Sequence, residues 1–416
     1  MEETENTKKE EAAPVEEKAG TGEDLQEEVF YNKKNKTKYI SSVIFLIALT
    51  VLVVSLFLSF GEIQEIGKTF TKIAEGSNYW WLVGTIGVAA IYFFTYPLSL
   101  CLIGKITESK ADFEDLYLIG ASEHFFNGVT PFAAGGQPFQ IYALHKKGDT
   151  TGKASGIILM NFIIFLVVVN IYNTASLFFF NRFVGEMDAI HPSLKWISLI
   201  GFIFNYLFLA FIIALGVSKK MADFLVKTFS WLCHFKWLKR FEPKVVEFEG
   251  YCVNVQNVVK EMGHRKKGVF CAFLLKFVSY SFNYALAFFV VKAVGVETVG
   301  WSDFFVVMMG TVFALAAVVW IPTPGGTVGI EYAFKIVLSS LLVSSMPREQ
   351  ISAITSTVTL LWRFLTYYLL LIASFICNAV FEGRFRRSLK NQMKELRMKI
   401  SARREERKEK TDEGRK

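Results

Sequence analysis

The chain has little from which a metal or redox site is built. Its five histidines, at 124, 145, 191, 234 and 264, have no His-x-x-x-His or Cys-x-x-Cys companion, so no metal or other cofactor is expected. Its five cysteines are an odd number: Cys101, Cys271 and Cys377 lie in apolar runs, and Cys233 and Cys252 in a segment that reads as cytoplasmic. A disulfide framework is thereby excluded. Charge is also scarce, at 20% of 416 residues, and is pushed into tails and loops. The basic residues of those loops alternate with apolar ones, a pattern that argues against nucleic-acid binding and for membrane surfaces.

What is abundant is apolar: 52% hydrophobic residues, 41 of them Phe, and a mean hydropathy of +0.35. That is the composition of an integral membrane protein. Residues 1–35 are read as a disordered acidic tail without a cleavable signal, 36–385 as the membrane domain and 386–416 as a basic cytoplasmic tail. Spans are expected over Tyr39–Phe60, Tyr79–Gly104, Ala154–Phe180, Trp196–Val217, Gly268–Val291 and Ile351–Val380. The basic connection 218–267 is expected to form amphipathic helices against anionic headgroups. Lys33, Lys34, Lys36 and Lys38 before the first span, with the basic C-terminal tail, place both termini in the cytoplasm.

Two further segments are broken. Phe304–Val343 is interrupted by Pro322-Thr323-Pro324-Gly325-Gly326, where prolines withhold donors and glycines permit torsions that end a helix. Ala111–Gly148 holds a similar interruption, Thr130-Pro131 and then Gly135-Gly136. Both glycine pairs are followed six residues on by Tyr-Ala, at Tyr142-Ala143 and Tyr332-Ala333. The chain therefore reads as an all-α polytopic membrane protein of about eight segments, two of them re-entrant and Gly/Pro-broken, in an inverted repeat whose breaks form the central site.

Charged groups within these segments are functional candidates. Arg363 lies ~22 Å by helical rise from Arg348 and ~28 Å from Glu382. It suits either a phosphate or a buried pair with Glu331 or Glu123. Glu331, early in the second half-helix, suits the helix dipole or proton coupling. Glu123 beside His124 is a possible proton relay or an ordinary polar contact. Lys276, ~13 Å beyond Lys267, is expected to snorkel to the surface.

Asn127-Gly-Val-Thr-Pro131 with Gly135-Gly136-Gln137-Pro138, and Pro322-Thr-Pro-Gly-Gly326 with Gly329 and Glu331, resemble the membrane region of bacterial lysylphosphatidylglycerol synthases and related stand-alone flippase-like proteins. A common form of that family has Arg and Glu where Ala133 and Gly136 stand here, which bears on the headgroup. The resemblance implies a plasma-membrane translocase for phosphatidylglycerol-type or aminoacylated lipid, linked to cationic-peptide and antibiotic resistance and served by a separate lipid-modifying synthase. The implied substrate-binding set is Asn127, Thr130, Pro131, Gly135, Gly136, Gln137, Tyr142, Pro322, Pro324, Gly325, Gly326, Glu331 and Arg363. Two alternatives stay open: a phosphatidylglycerol lysyltransferase-related enzyme, although no transferase domain is legible in the sequence, and a small-solute or ion carrier. Oligomeric state is not legible.

Overall fold

The computed structural model describes residues 79–130, 132–181, 183–184, 193–235, 239, 245–318, 320, 329–343 and 346–413. The acidic tail, the expected span Tyr39–Phe60, Pro131 and the stretch Pro322–Gly326 lie outside the described residues. All described residues belong to one compact unit, and among them every regular element is helical.

Pro97 divides the first described span, expected to be continuous, into α1 (Tyr79–Thr95) and α2 (Leu98–Ile106). Proline lacks the N–H a continuous helix needs and disfavours helical torsions in the residue before it. After α2 come α3 (Phe113–Val129) and α4 (Gly136–Lys146), the two arms of the first broken segment. The side chain of Asp112 caps α3 by accepting from Asp115 N at 2.7 Å, and Thr150 caps α5 (Thr151–Leu177) by accepting from Lys153 N at 3.3 Å. Next are α6 (Ser193–Val217), α7 (Lys219–Cys233), α8 (Val245–His264) and α9 (Lys266–Ala293). The second broken segment is α10 (Phe304–Val318) and α11 (Gly329–Leu342). Beyond it, α12 (Arg348–Arg363) runs through a π-helical turn, Phe364–Tyr368, into α13 (Leu369–Glu413), so the last span and basic tail share a helix.

Six helical stretches among the described residues are long and apolar enough to cross a membrane: Tyr79–Ile106, Thr151–Leu177, Trp196–Val217, Lys266–Ala293, Trp301–Val318 and Gln350–Ser388. The chain is an all-α, multi-pass membrane protein.

Packing repeats between the halves. α3 lies against α4 as α10 lies against α11, and α4 packs on α5 as α11 packs on α12. α2 touches α3 and α5 as α9 touches α10 and α12. The halves also exchange elements: α6 packs on α10, α13 on α3, and α1 lies along α9. Two apolar cores form, one including Leu100, Ile119, Leu144 and Ile157 with Ala272 and Phe381, the other Phe313, Phe334, Val337 and Trp362 with Tyr92 and Tyr172, so each draws on both halves.

The connection 218–267 does form two helices, but α8 turns part of its apolar stripe to protein. Cys252, Val255 and Met262 are buried, and Val258 meets Gly156 of α5 so closely that a Cβ there would lie 2.4 Å away. α7 leaves Phe224 and Trp231 exposed.

Candidate functional site

The first break is built by side chains that reach across it. Residues 132 and 133 both take left-handed torsions, φ 57° and 51°, which non-glycine residues rarely adopt, so the chain reverses sharply between α3 and α4. Thr130 Oγ1 accepts from Gly135 N at 2.8 Å, and Asn127 Oδ1 accepts from Gly136 N at 2.8 Å. Glycine is required by close approach: a Cβ at Gly135 would lie 2.7 Å from the Phe126 carbonyl oxygen, and one at Gly136 2.6 Å from Asn127 Oδ1 and Glu123 Cγ. In this conformation Thr130 and Asn127 therefore occupy the N–H groups of Gly135 and Gly136 at the start of α4.

Glu123, buried on α3, is the focus of the hairpin. Its Oε2 accepts from Tyr96 Oη at 2.6 Å and Gln140 Nε2 at 3.1 Å; its Oε1 accepts from Gln137 Nε2 at 3.3 Å and Asn127 Nδ2 at 3.4 Å. Four donors from three segments thus converge on one carboxylate, which satisfies a buried acceptor-only group without a direct ion pair. His124 turns elsewhere: its Nε2 lies 3.3 Å from Tyr92 Oη, and its ring centre lies 4.3 Å from that of Tyr96 at a 37° tilt. Glu123 and His124 are joined through Tyr96 rather than directly.

Lys276 corrects the snorkelling expectation. Its side chain is 1% exposed, with Nζ 4.1 Å from the centre of the Tyr96 ring and 3.5 Å from the Tyr96 carbonyl oxygen. Helical rise measured only its distance from Lys267. The face it occupies, shared with Tyr280 and Tyr284, packs inward on α1 and α2, and the ring of Tyr96 supplies a cation–π contact there. Tyr96 therefore sits between a buried cation and a buried carboxylate.

At the second break Arg363 Nε donates to Glu331 Oε1 at 2.7 Å, with both side chains buried. Of the two roles open for Arg363, the structure places it in the ion pair with Glu331. Its guanidinium carbon lies 4.2 Å over the ring of Tyr367, whose hydroxyl donates to the Gly128 carbonyl at 2.9 Å. A line of contacts thereby runs from Glu331 to the helix that carries Glu123. Tyr367 belongs to the π-helical turn, a form that recurs at functional positions. Tyr142 stands apart: it is 40% exposed, with Lys146 Nζ 5.6 Å from its ring.

The first break brings Asn127 and Gln137 onto Glu123, with Thr130, Gly135 and Gly136 tied in beside them, and at the second Glu331 meets Arg363. Sequence reasoning missed Tyr96, Gln140 and Tyr367. Gln140 follows Gln137 by one helical turn, a spacing that puts both amides on one face.

These features define a polytopic helical membrane protein with paired broken segments around buried charge. The chain belongs to the family described as the lysylphosphatidylglycerol synthase TM region, which matches residues 43–374. It is also similar to the Mycoplasma pneumoniae protein named as an uncharacterized MG306 homolog, 23% identical over 84% of this chain and 89% of that one. MG306 of Mycoplasma genitalium is 26% identical over 86% of this chain and 91% of its own. No solved structure matches the chain.

Proposed function

We propose that the protein moves a phosphatidylglycerol-type or aminoacylated phospholipid between the leaflets of the plasma membrane, with both termini in the cytoplasm. Membership of a lipid-handling membrane family supports the substrate class. The single observation that carries the mechanism is the first break, where the N–H groups of Gly135 and Gly136 are held by the side-chain oxygens of Thr130 and Asn127. Those oxygens stand where a headgroup phosphate would accept the same hydrogen bonds at the start of α4. Exchange of an internal acceptor for a phosphate lets the hairpin take up cargo without leaving buried donors bare.

Glu123 and the Arg363–Glu331 pair then hold the two halves in register while the repeats move against each other. Arg363 acts through Glu331 and Tyr367, and a cationic headgroup such as a lysyl ester has Glu123 within the same hairpin. The basic cytoplasmic segments face anionic headgroups of the inner leaflet, and a separate synthase supplies any aminoacylated cargo. Purified protein in liposomes is expected to speed leaflet exchange of labelled phosphatidylglycerol or its lysyl form, and exchange at the protein-free rate for both lipids would refute the reading. Tags on the two termini are expected to be reachable only from the cytoplasmic side, and external labelling of the C-terminus would overturn the orientation.

A further inference from the structure

A cavity of about 680 Å³ lies between α1, α5, α9 and α10, and no residue of the first hairpin lines it. Tyr172 and Ser281 bring hydroxyl groups to its wall, and these bond to each other. The remainder of the lining is hydrocarbon, aromatic ring and thioether. Water in such a space lacks the two to four polar partners that hold it, so an apolar occupant is favoured.

Its walls belong to membrane-crossing stretches, and its rim residues Phe178, Phe305 and Trp301 are 87%, 65% and 65% exposed. Along α9 the lining runs from Phe277 to Phe289, ~18 Å of helical rise, against ~15 Å for the hydrocarbon of one leaflet. One end is marked by Trp301, where an aromatic anchor belongs at the level of the headgroups. Lys292 stands at that same end, its Nζ 5.5 Å from the centre of the Trp81 ring, and Trp81 lies 5.6 Å from Trp301. Leaflet-length apolar depth, aromatic mouth and adjacent cation match an anionic phospholipid.

We infer that this groove binds one acyl chain of an anionic phospholipid from the leaflet on the Trp301 side, with the headgroup beside Lys292. The inference rests on the lipid-handling reading and places the tail of a lipid bound at the side of the fold. α9 links this groove to the buried site: Phe277, Ser281, Ala285 and Phe289 line the groove, while Lys276, Tyr280 and Tyr284 form its inward face.

The test uses the full chain in nanodiscs that contain phosphatidylglycerol with a photoreactive diazirine in one acyl chain, and maps the adducts by mass spectrometry. Labelling around Phe178 and Phe305–Met309 is expected to exceed, by several-fold, that around Ile200, Ile203 and Leu207 of α6, which are also exposed. Equal labelling of the two regions would overturn the site. Ala175→Phe and Ala285→Phe fill the groove from α5 and from α9 and are expected to bring its labelling down to the α6 level in whichever variant retains the wild-type melting curve. Undiminished labelling in such a variant would also overturn it, and should neither fold, the wild-type distribution alone decides. Stronger labelling there by a diazirine fatty acid than by the phospholipid would reject the committed ligand. Leaflet exchange measured on the same protein separates the two ideas: exchange without groove labelling sinks the groove alone, and groove labelling without exchange sinks translocation alone.

Discussion

Arg363 Nε donates to Glu331 Oε1 at 2.7 Å within the apolar interior, while the same guanidinium covers the ring of Tyr367. The pair therefore connects the arm after the second break, the π-helical turn and, through the Tyr367 hydroxyl, the end of α3. The attraction within a buried pair offsets the loss of water only in part, but removal of one member leaves the other charge bare, which costs far more.

Arg363→Gln is accordingly expected to lower stability by ~3–5 kcal/mol, seen as a lower melting temperature in detergent. Adding Glu331→Gln to that variant should restore part of the loss, because no unpaired carboxylate then remains. A wild-type melting curve for Arg363→Gln alone would show that the pair is not a structural element.

At Glu123 the expectation differs, since four donors meet there. Glu123→Gln turns one acceptor oxygen into an NH2 group that faces donors, and should cost more than Tyr96→Phe, which removes one charge-assisted hydrogen bond worth ~1.5–3 kcal/mol. Melting temperatures of the two variants check the order. A Gln variant as stable as wild type would mean that the four contacts do not act together.

Close helix packing gives a sharper contrast. A Cβ at Gly201 on α6 would lie 2.4 Å from the Ala316 carbonyl oxygen of α10, whereas a Cβ at Gly87 on α1 meets nothing within 4 Å. Gly201→Ala should destabilise by ~1–3 kcal/mol through overpacking, and Gly87→Ala should be neutral or gain ~0.5–1 kcal/mol from helix propensity. Equal melting temperatures for these two variants would contradict the α6–α10 contact.

Lys276→Met exchanges a buried ammonium for an apolar side chain of similar length. Replacement of buried charge by well-packed hydrocarbon is often neutral or stabilising, so the melting temperature should hold or rise. A clear drop in melting temperature would instead make Lys276 a structural partner of Tyr96.

The membrane class and most helical segments were legible because long apolar runs and glycine–proline interruptions follow from the hydrogen-bond demands of the bilayer. The first hairpin could be seen in Thr130, Gly135 and Gly136, whose roles are local. Tyr96 could not, because its hydroxyl meets Glu123 only after α2 has packed beside α3, and nothing in the sequence near Tyr96 names that partner. The inward turn of Lys276 was hidden for a related reason: depth along a helix is a property of sequence, but which neighbour covers a given face is a property of packing. Pro97 was a visible breaker overlooked inside a long apolar run. The π-helical turn at Phe364–Tyr368 has no proline or glycine to announce it.

Translocation is tested most directly in liposomes that hold the full chain and fluorescent phosphatidylglycerol, to which a membrane-impermeant quencher is added outside. With active protein, quenching should proceed past the outer-leaflet share of the label towards completion, at a rate that rises with protein per vesicle. Quenching that stops at the outer-leaflet share, as in protein-free vesicles, with both phosphatidylglycerol and its lysyl form, would contradict the account.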